Sequence, residues 1–163
     1  MKDCKNKIMK QILYQPKTLG ELTGDTTCAS ETVDKYVKEL EKEGKISHRK
    51  SKFKIFFKPN LELEKIEFFE LMLNGSVRSV ILLLLKTNKI SQLELEAILN
   101  KSCPTISRTL KLLINRNIIE SHYLAPGIKY SLKDKPKIIS WMHETHPKII
   151  SKMVDGIVEM FAQ

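Results

Sequence analysis

The chain has 163 residues, is 42% hydrophobic and carries a formal net charge of +9. That apolar content supports packed cores and argues against wholesale disorder, and the length fits one large domain or two small ones. The longest apolar run, Val80 to Leu85, falls far short of the roughly 20 residues a membrane helix needs, so no membrane span is expected, and the excess of base favours a polyanionic partner, nucleic acid first.

The polar start, Met1 to Lys7, has no apolar signal region behind it, which points to a soluble protein of the cytoplasm. Cysteines at 4, 28 and 103 are odd in number and widely spaced. They are expected as reduced thiols without a disulfide framework, and a CxxC metal motif is absent. A first helix is expected over 4–14, with Ile8, Ile12 and Leu13 inward. A short second helix opens on Thr18-Leu19-Gly20-Glu21, the capping-box pattern in which hydroxyl and glutamate each satisfy a free backbone N–H. A polar turn, Gly24 to Thr27, leads to a third helix from Ser30 to about Glu43, stopped by Gly44. A hairpin follows, with a tip at Lys50-Ser51-Lys52 and a return strand from Phe53 to Lys58 in which Ile55 and Phe57 alternate with Lys54 and Lys58.

Residues 61–75 are acidic and amphipathic, and end at Asn74-Gly75. They read as a linking helix that buries Ile66, Phe69, Leu73 and Met72, unlike a Gly/Ser-rich flexible linker. After it the first pattern returns. Shifting the chain by 73 residues places Ile8 on Ile81, Glu21 on Glu94, Leu22 on Leu95, Thr32 on Thr105, Lys38 on Lys111, Leu40 on Leu113, Ile46 on Ile119 and Ile55 on Ile128. Phe57 falls on Tyr130 in the same gapless register. Such self-similarity means two copies of one supersecondary unit. The second copy has a helix over 76–87 with Val77, Val80, Ile81 and Leu84 inward, and a capped short helix from Ser91-Gln92-Leu93-Glu94. A third helix runs from Cys103 to about Asn117, with Ile106, Leu110 and Leu113 inward and Leu112 and Ile114 widening the apolar face. A hairpin closes the copy, Ile119 to Leu124 and Ile128 to Leu132 around Pro126-Gly127. Beyond it, Asp134 caps a helix with Pro136 in its first turn, and Pro147 starts a last helix. The spread of Ile149, Ile150, Met153, Val154, Ile157, Val158 and Phe161 over that last helix calls for a packing partner, a second chain included.

The side chains that carry chemistry are basic and hydroxylic. Thr105, Ser107, Arg108 and Lys111 fall outside the apolar stripe of the second third-helix, with no acid among them. The first copy offers Thr32, Lys35 and Lys38 but also Glu31, Asp34 and Glu39, which suit i,i+4 pairing with those lysines. The first hairpin holds His48, Arg49, Lys50, Lys52, Lys54 and Lys58 without an acid, suited to phosphates or a minor groove; the plainer reading is charge that guards an exposed edge strand. His143 and His146 lack a third ligand at matching spacing, so no metal is expected. Cys103 near a helix start has the position of a reactive thiol, against a plain turn residue. No Gly-rich phosphate loop, GxSxG or HExxH is present, so neither enzymatic activity nor a cofactor is expected.

The segment Thr105-Ile-Ser-Arg-Thr-Leu-Lys-Leu-Leu-Ile-Asn-Arg-Asn-Ile-Ile and its partner from Thr32 to Ile46 resemble the recognition helix and following strand of ArsR/MarR-like winged-helix regulators, and the whole chain resembles the archaeal type with two such domains in tandem. Asp34 and Asn117 depart from the usual serine and glycine, and the metal-sensing motifs of ArsR proteins are missing. The resemblance implies a mainly α fold with small β-hairpins (α+β). The resemblance covers about residues 5–58 and 77–132; with the repeat and the apolar last helix, the expected plan is winged helix-turn-helix domains at 1–60 and 76–134, a linking helix at 61–75, and a C-terminal helical segment at 135–163 that serves dimerisation. The function implied is a transcriptional regulator of duplex DNA, a homodimer associated with the nucleoid, with recognition helices in the major groove. The implied contacts are Ser30, Thr32, Lys35 and Lys38 in the first copy and Thr105, Ser107, Arg108 and Lys111 in the second. The hairpin residues His48, Arg49, Lys50, Lys52, Lys54 and Lys129 join them. A protein-binding tandem scaffold and a sequence-indifferent chromatin protein are the alternatives.

Overall fold

The structure, a computed structural model, describes residues 2–153. The chain is α+β, with helices and two small antiparallel three-stranded sheets among the described residues. The first half runs α1 (Lys2–Tyr14), β1 (Lys17–Thr18), α2 (Leu19–Thr26), α3 (Ser30–Lys42), β2 (Ser47–Lys50), β3 (Lys54–Phe57). After α4 (Leu63–Met72) the same order repeats as α5 (Gly75–Lys86), β4 (Ile90–Ser91), α6 (Gln92–Leu99), α7 (Cys103–Asn115), β5 (Ile119–Leu124), β6 (Gly127–Leu132), followed by α8 (Lys135–Thr145) and helical turns over 147–153. The sheets have order β1-β3-β2 and β4-β6-β5. The chain divides into two compact units. Unit 1 takes residues up to Glu67 and from Trp141 on; unit 2 is Phe68–Ser140, with one boundary inside α4.

The repeat is written in the backbone. Thr18 and Ser91 cap α2 and α6 from nearly identical dihedrals, and each hydroxyl accepts from the N–H of the glutamate three residues on. Both helices end on a left-handed residue, Thr27 and Asn100, 73 positions apart. The third helices end alike. Gly44 and Asn117 both take a left-handed conformation. Each donates its N–H three residues back, to Glu41 or Ile114, while Lys45 and Ile118 reach five back, to Leu40 and Leu113. Paired bonds of this kind satisfy the last carbonyls of a helix.

Unit 1 closes on Ile8 and Ile12 of α1, Leu22, then Val33, Val37 and Leu40 of α3, with Ile46 and Phe56. Leu13, expected inward, is 45% exposed, because the buried face of α1 follows the i,i+4 pair Ile8–Ile12 and Leu13 is turned about 100° off Ile12. Cys4 and Cys28 form a disulfide across 24 residues, with Cα atoms 6.4 Å apart, which corrects the expectation of three reduced thiols; Cys103 is free and exposed. The fold of α1 against the α2–α3 turn makes that pair, and linear spacing does not show it. Lys17 is 5% exposed and its Nζ sits 2.6 Å from Asp25 Oδ2. At the repeat-equivalent positions unit 2 has Ile90 and Ile98.

Unit 2 buries Val77, Val80, Ile81, Leu84 and Leu85 of α5 with Leu95, Ile106, Leu110 and Leu113. Ile114, expected in the apolar face of α7, is exposed. The hairpins break the 73-residue register. Lys17 pairs with Phe56, whereas Ile90 pairs with Tyr130, so β6 lies one residue further along than β3. Ile128 is therefore no counterpart of Ile55, nor Tyr130 of Phe57. A one-residue slip turns side chains to the opposite face, and Ile55 is fully buried while Ile128 is 49% exposed. The first hairpin also departs from clean alternation: Ile55, Phe56 and Phe57 are all buried, and its tip is Ser51-Lys52-Phe53.

The linking helix α4 buries Ile66, Phe68, Phe69 and Met72, while Leu73 is half-buried. Asp134 accepts from the Lys137 N–H at the start of α8. Within unit 1, Lys65 Nζ lies 2.6 Å from Glu144 Oε2. Val154, Ile157, Val158 and Phe161, which motivated the expected dimer, lie outside the described residues. Among the described residues no single helix is long and apolar enough to cross a membrane.

Two outcomes follow for stability. Gly44→Ala puts a Cβ on a residue at φ +73 and is expected to cost about 1–2 kcal/mol in denaturant unfolding, while Asn117→Gly at the equivalent stop raises the melting temperature. The second concerns acid. Lys65, then Lys58, holds the Glu144 carboxyl below its ordinary value. A depressed carboxylate stabilises above its unfolded pKa, and that contribution is lost as pH falls through the lower folded value. The melting-temperature gap between wild type and Glu144→Gln is therefore expected at neutral pH and to close on acidification; a gap independent of pH contradicts it.

Candidate nucleic-acid interface

The third helices owe their orientation to their buried stripes. In α7, Ile106, Thr109, Leu110 and Leu113 are buried, which leaves Arg108 and Lys111 exposed and Thr105 and Ser107 half-buried. Ser102 caps the helix: its Oγ accepts from the Thr105 N–H and lies 2.8 Å from Thr105 Oγ1. The Arg108 Nε donates to the Pro104 carbonyl at 3.3 Å, leaving its two terminal nitrogens for other contacts. Neither Arg108 nor Lys111 has an acidic partner among the described residues.

In α3 the same backbone carries a different electrostatic surface. Lys38 is paired with Asp34 at 2.8 Å, and the Asp34 carboxylate raises the Lys38 pKa. Lys35 lies 5.8 Å from the centroid of the Tyr36 ring. Glu39 and Glu43 clasp Lys5 of α1, whose pKa is raised, chiefly by Glu43. Ser30 is exposed in the first turn, with Ala29 at the cap, and Thr32 is half-buried. The acids Glu31, Asp34, Glu39, Glu41 and Glu43 have as repeat equivalents Pro104, Ser107, Leu112, Ile114 and Arg116, none of them acidic.

The first hairpin splits into a root with acids beside it and a tip without them. His48 Nδ1 lies 2.7 Å from Glu41 Oε1, and Arg49 Nη1 lies 3.6 Å from Glu67 Oε1. Neither acid is in the hairpin itself, so its sequence did not show the pairing. Towards the tip, Lys50 and Lys54 are directly opposed across the strands. Like charges in that arrangement are destabilising. Lys52 and Lys54 stand over the rings of Phe53 and Phe56, at 5.7 and 5.3 Å. In unit 2, Lys129 is opposed by His122 and is half-buried, and the tip there is apolar, with Tyr123 77% and Ile128 49% exposed.

Linear spacing does not reveal a recess beside the exposed face of α7. In unit 2 a groove of about 210 Å³ runs between the start of α5 and α7, with Asn74 and Ser76 on one side, Thr105 and Arg108 on the other, and Val77 and Thr109 among its lining. Asn74 looks like the end of the linking helix. It is instead the N-cap of α5, and its Oδ1 accepts from the N–H groups of Ser76 and Val77. Asn-Gly suits either end of a helix, so the residue pair alone did not decide between them.

No family model and no curated protein matches this chain. Among solved structures it is similar to a hypothetical protein, PyrSV_gp04, from Pyrobaculum spherical virus, at 14% identity over 81% of this chain and 94% of that one, with a TM-score of 0.40.

The Lys38–Asp34 pairing has a direct readout. Asp34→Asn is expected to return the Lys38 ammonium towards its ordinary pKa, measured by an NMR titration of its Cε and Nζ resonances; an unchanged titration shows that the pair does not form in solution.

Proposed function

We propose that this chain is a DNA-binding regulator of transcription built from two tandem winged helix-turn-helix domains of the ArsR/MarR-like type. The observation that carries the reading is the face of α7, where Thr105, Ser107, Arg108 and Lys111 stand together over a buried stripe without an acidic partner among the described residues. Helices with an apolar back and a basic, hydroxylic front suit a major groove, and the bare lysines of the first hairpin tip suit flanking phosphates. In this reading Thr105 and Ser107 of α7 face base edges while its Arg108 and Lys111 hold backbone phosphates, and α3, whose Lys38 is paired with Asp34, leans on Lys50, Lys52 and Lys54. Pairing of two chains through the C-terminal helices is part of the proposal, as is association with the nucleoid.

A second reading has its own support. The exposed Leu93, Tyr123 and Ile128 of unit 2 suit protein docking, as in a tandem winged-helix scaffold.

Fluorescence anisotropy with duplexes recovered from genomic selection separates these readings. The regulator is expected to bind its selected site at nanomolar concentration, far tighter than random duplex, with strong salt dependence. Arg108→Ala with Lys111→Ala is expected to weaken binding at least ~10-fold and to reduce the salt slope by about 1.8, two phosphate-scale contacts. Equal affinity for random duplex identifies a sequence-indifferent chromatin protein, and no binding at low salt leaves the scaffold.

A further inference from the structure

We propose that the α5–α7 groove of unit 2 seats a phosphate group of the bound nucleic-acid backbone, which makes the start of α5 the second lip of the interface. The proposal rests on the nucleic-acid reading given above and adds to it a site, a ligand group and a new element. The groove offers donors and no carboxylate: the Arg108 terminal nitrogens, the Asn74 amide nitrogen, whose oxygen is already committed to the α5 backbone, and the hydroxyl of Ser76, with the Thr105 hydroxyl, shared with Ser102, on the far side. The guanidinium supplies the charge and a planar fork suited to two phosphate oxygens. The helix N-terminus itself is not the binding element, because Asn74 already satisfies the N–H groups of Ser76 and Val77.

Unit 1 serves as an internal control on the same backbone. Where unit 2 has Ser76 and Thr109, unit 1 has Asp3 and Tyr36. Asp3 is a carboxylate and is paired with Lys7 at 3.5 Å. Tyr36 is buried in the unit 1 core, and Lys35, the equivalent of Arg108, stands over its ring. Unit 1 therefore places an acid and an aromatic side chain where unit 2 leaves an open, acid-free recess. The difference lies in the side chains that govern anion binding, while the helices that carry them are held in common.

The test transplants the unit 1 side chains into the full-length protein. Ser76→Asp alone adds charge at a half-buried lip, and Ser76→Asp with Thr109→Tyr also fills the recess. The single variant keeps the test intact should the double variant fail to fold. Two readouts are taken. Titration of labelled protein with inorganic phosphate is expected to give saturable shifts at Asn74, Ser76 and Arg108 in wild type and none in Ser76→Asp. Duplex binding as a function of salt is expected to lose about 0.9 from its slope in Ser76→Asp, the share of one phosphate contact. Absence of the phosphate shifts in wild type overturns the site. Shifts with an unchanged duplex slope overturn the backbone assignment in favour of a free phosphorylated ligand. Shifts in a wild type that binds no duplex at all sink the nucleic-acid reading while the groove stands.

Discussion

One constraint governs the charged faces of both units: a single stripe of each third helix is dry. Val33, Val37 and Leu40 in α3, and Ile106, Leu110 and Leu113 in α7, are essentially without solvent contact. At 3.6 residues per turn, burial of those positions leaves no choice about where their neighbours point. Lys35 and Lys38, like Arg108 and Lys111, are exposed because turning them inward would bring the aliphatic side chains out. Burial of each Val, Leu or Ile side chain contributes about 1.5–3 kcal/mol, against the few tenths of a surface ion pair, so packing sets the orientation and charge decorates it.

The decoration is where the copies part. Unit 2 holds eleven Lys and Arg against five Asp and Glu, and the described part of unit 1 holds seventeen against twelve, so the net charges are close. The difference is placement. Unit 1 spends its acids beside its bases, through Asp34–Lys38, Lys5–Glu43, Lys17–Asp25 and His48–Glu41. Unit 2 replaces several of those partners with apolar or hydroxylic residues, as at Ile90 and Ile98 or at Ser107. The same scaffold thus presents a third helix with acids beside its bases once and an uncompensated cationic helix face once.

The parts of this arrangement that were legible in the sequence are those with local causes. The capping box at Thr18, the stops at Gly44 and Asn117, the Asp134 cap and the buried stripes all depend on residues within one or two turns of each other. The third strand of each sheet was not legible, because Lys17–Thr18 and Ile90–Ser91 are two residues long and carry no periodicity. The slip of β6 escaped because an Ile-on-Ile match at 55 and 128 is apolar on both sides, whereas the pairing with β4 decides the register. His48 and Arg49 read as free bases because Glu41 and Glu67 come from other elements. The groove needed α5 and α7 to be placed side by side before Asn74 and Ser76 meant anything.

The Cys4–Cys28 bridge bears on the unfolded chain more than on the folded one. It closes a covalent ring across 24 residues that contains all of β1 and α2, and it ties the entry of α3 to α1. By loop-closure entropy a ring of that size removes about 3–4 kcal/mol worth of freedom from the open ensemble. The equivalent positions in unit 2 are Val77 and Lys101, so that half of the molecule has no such tether. Two copies with one backbone plan therefore unfold to chains of unequal reach while the bridge is intact. The third helix with acids beside its bases belongs to the copy whose open chain is the more confined.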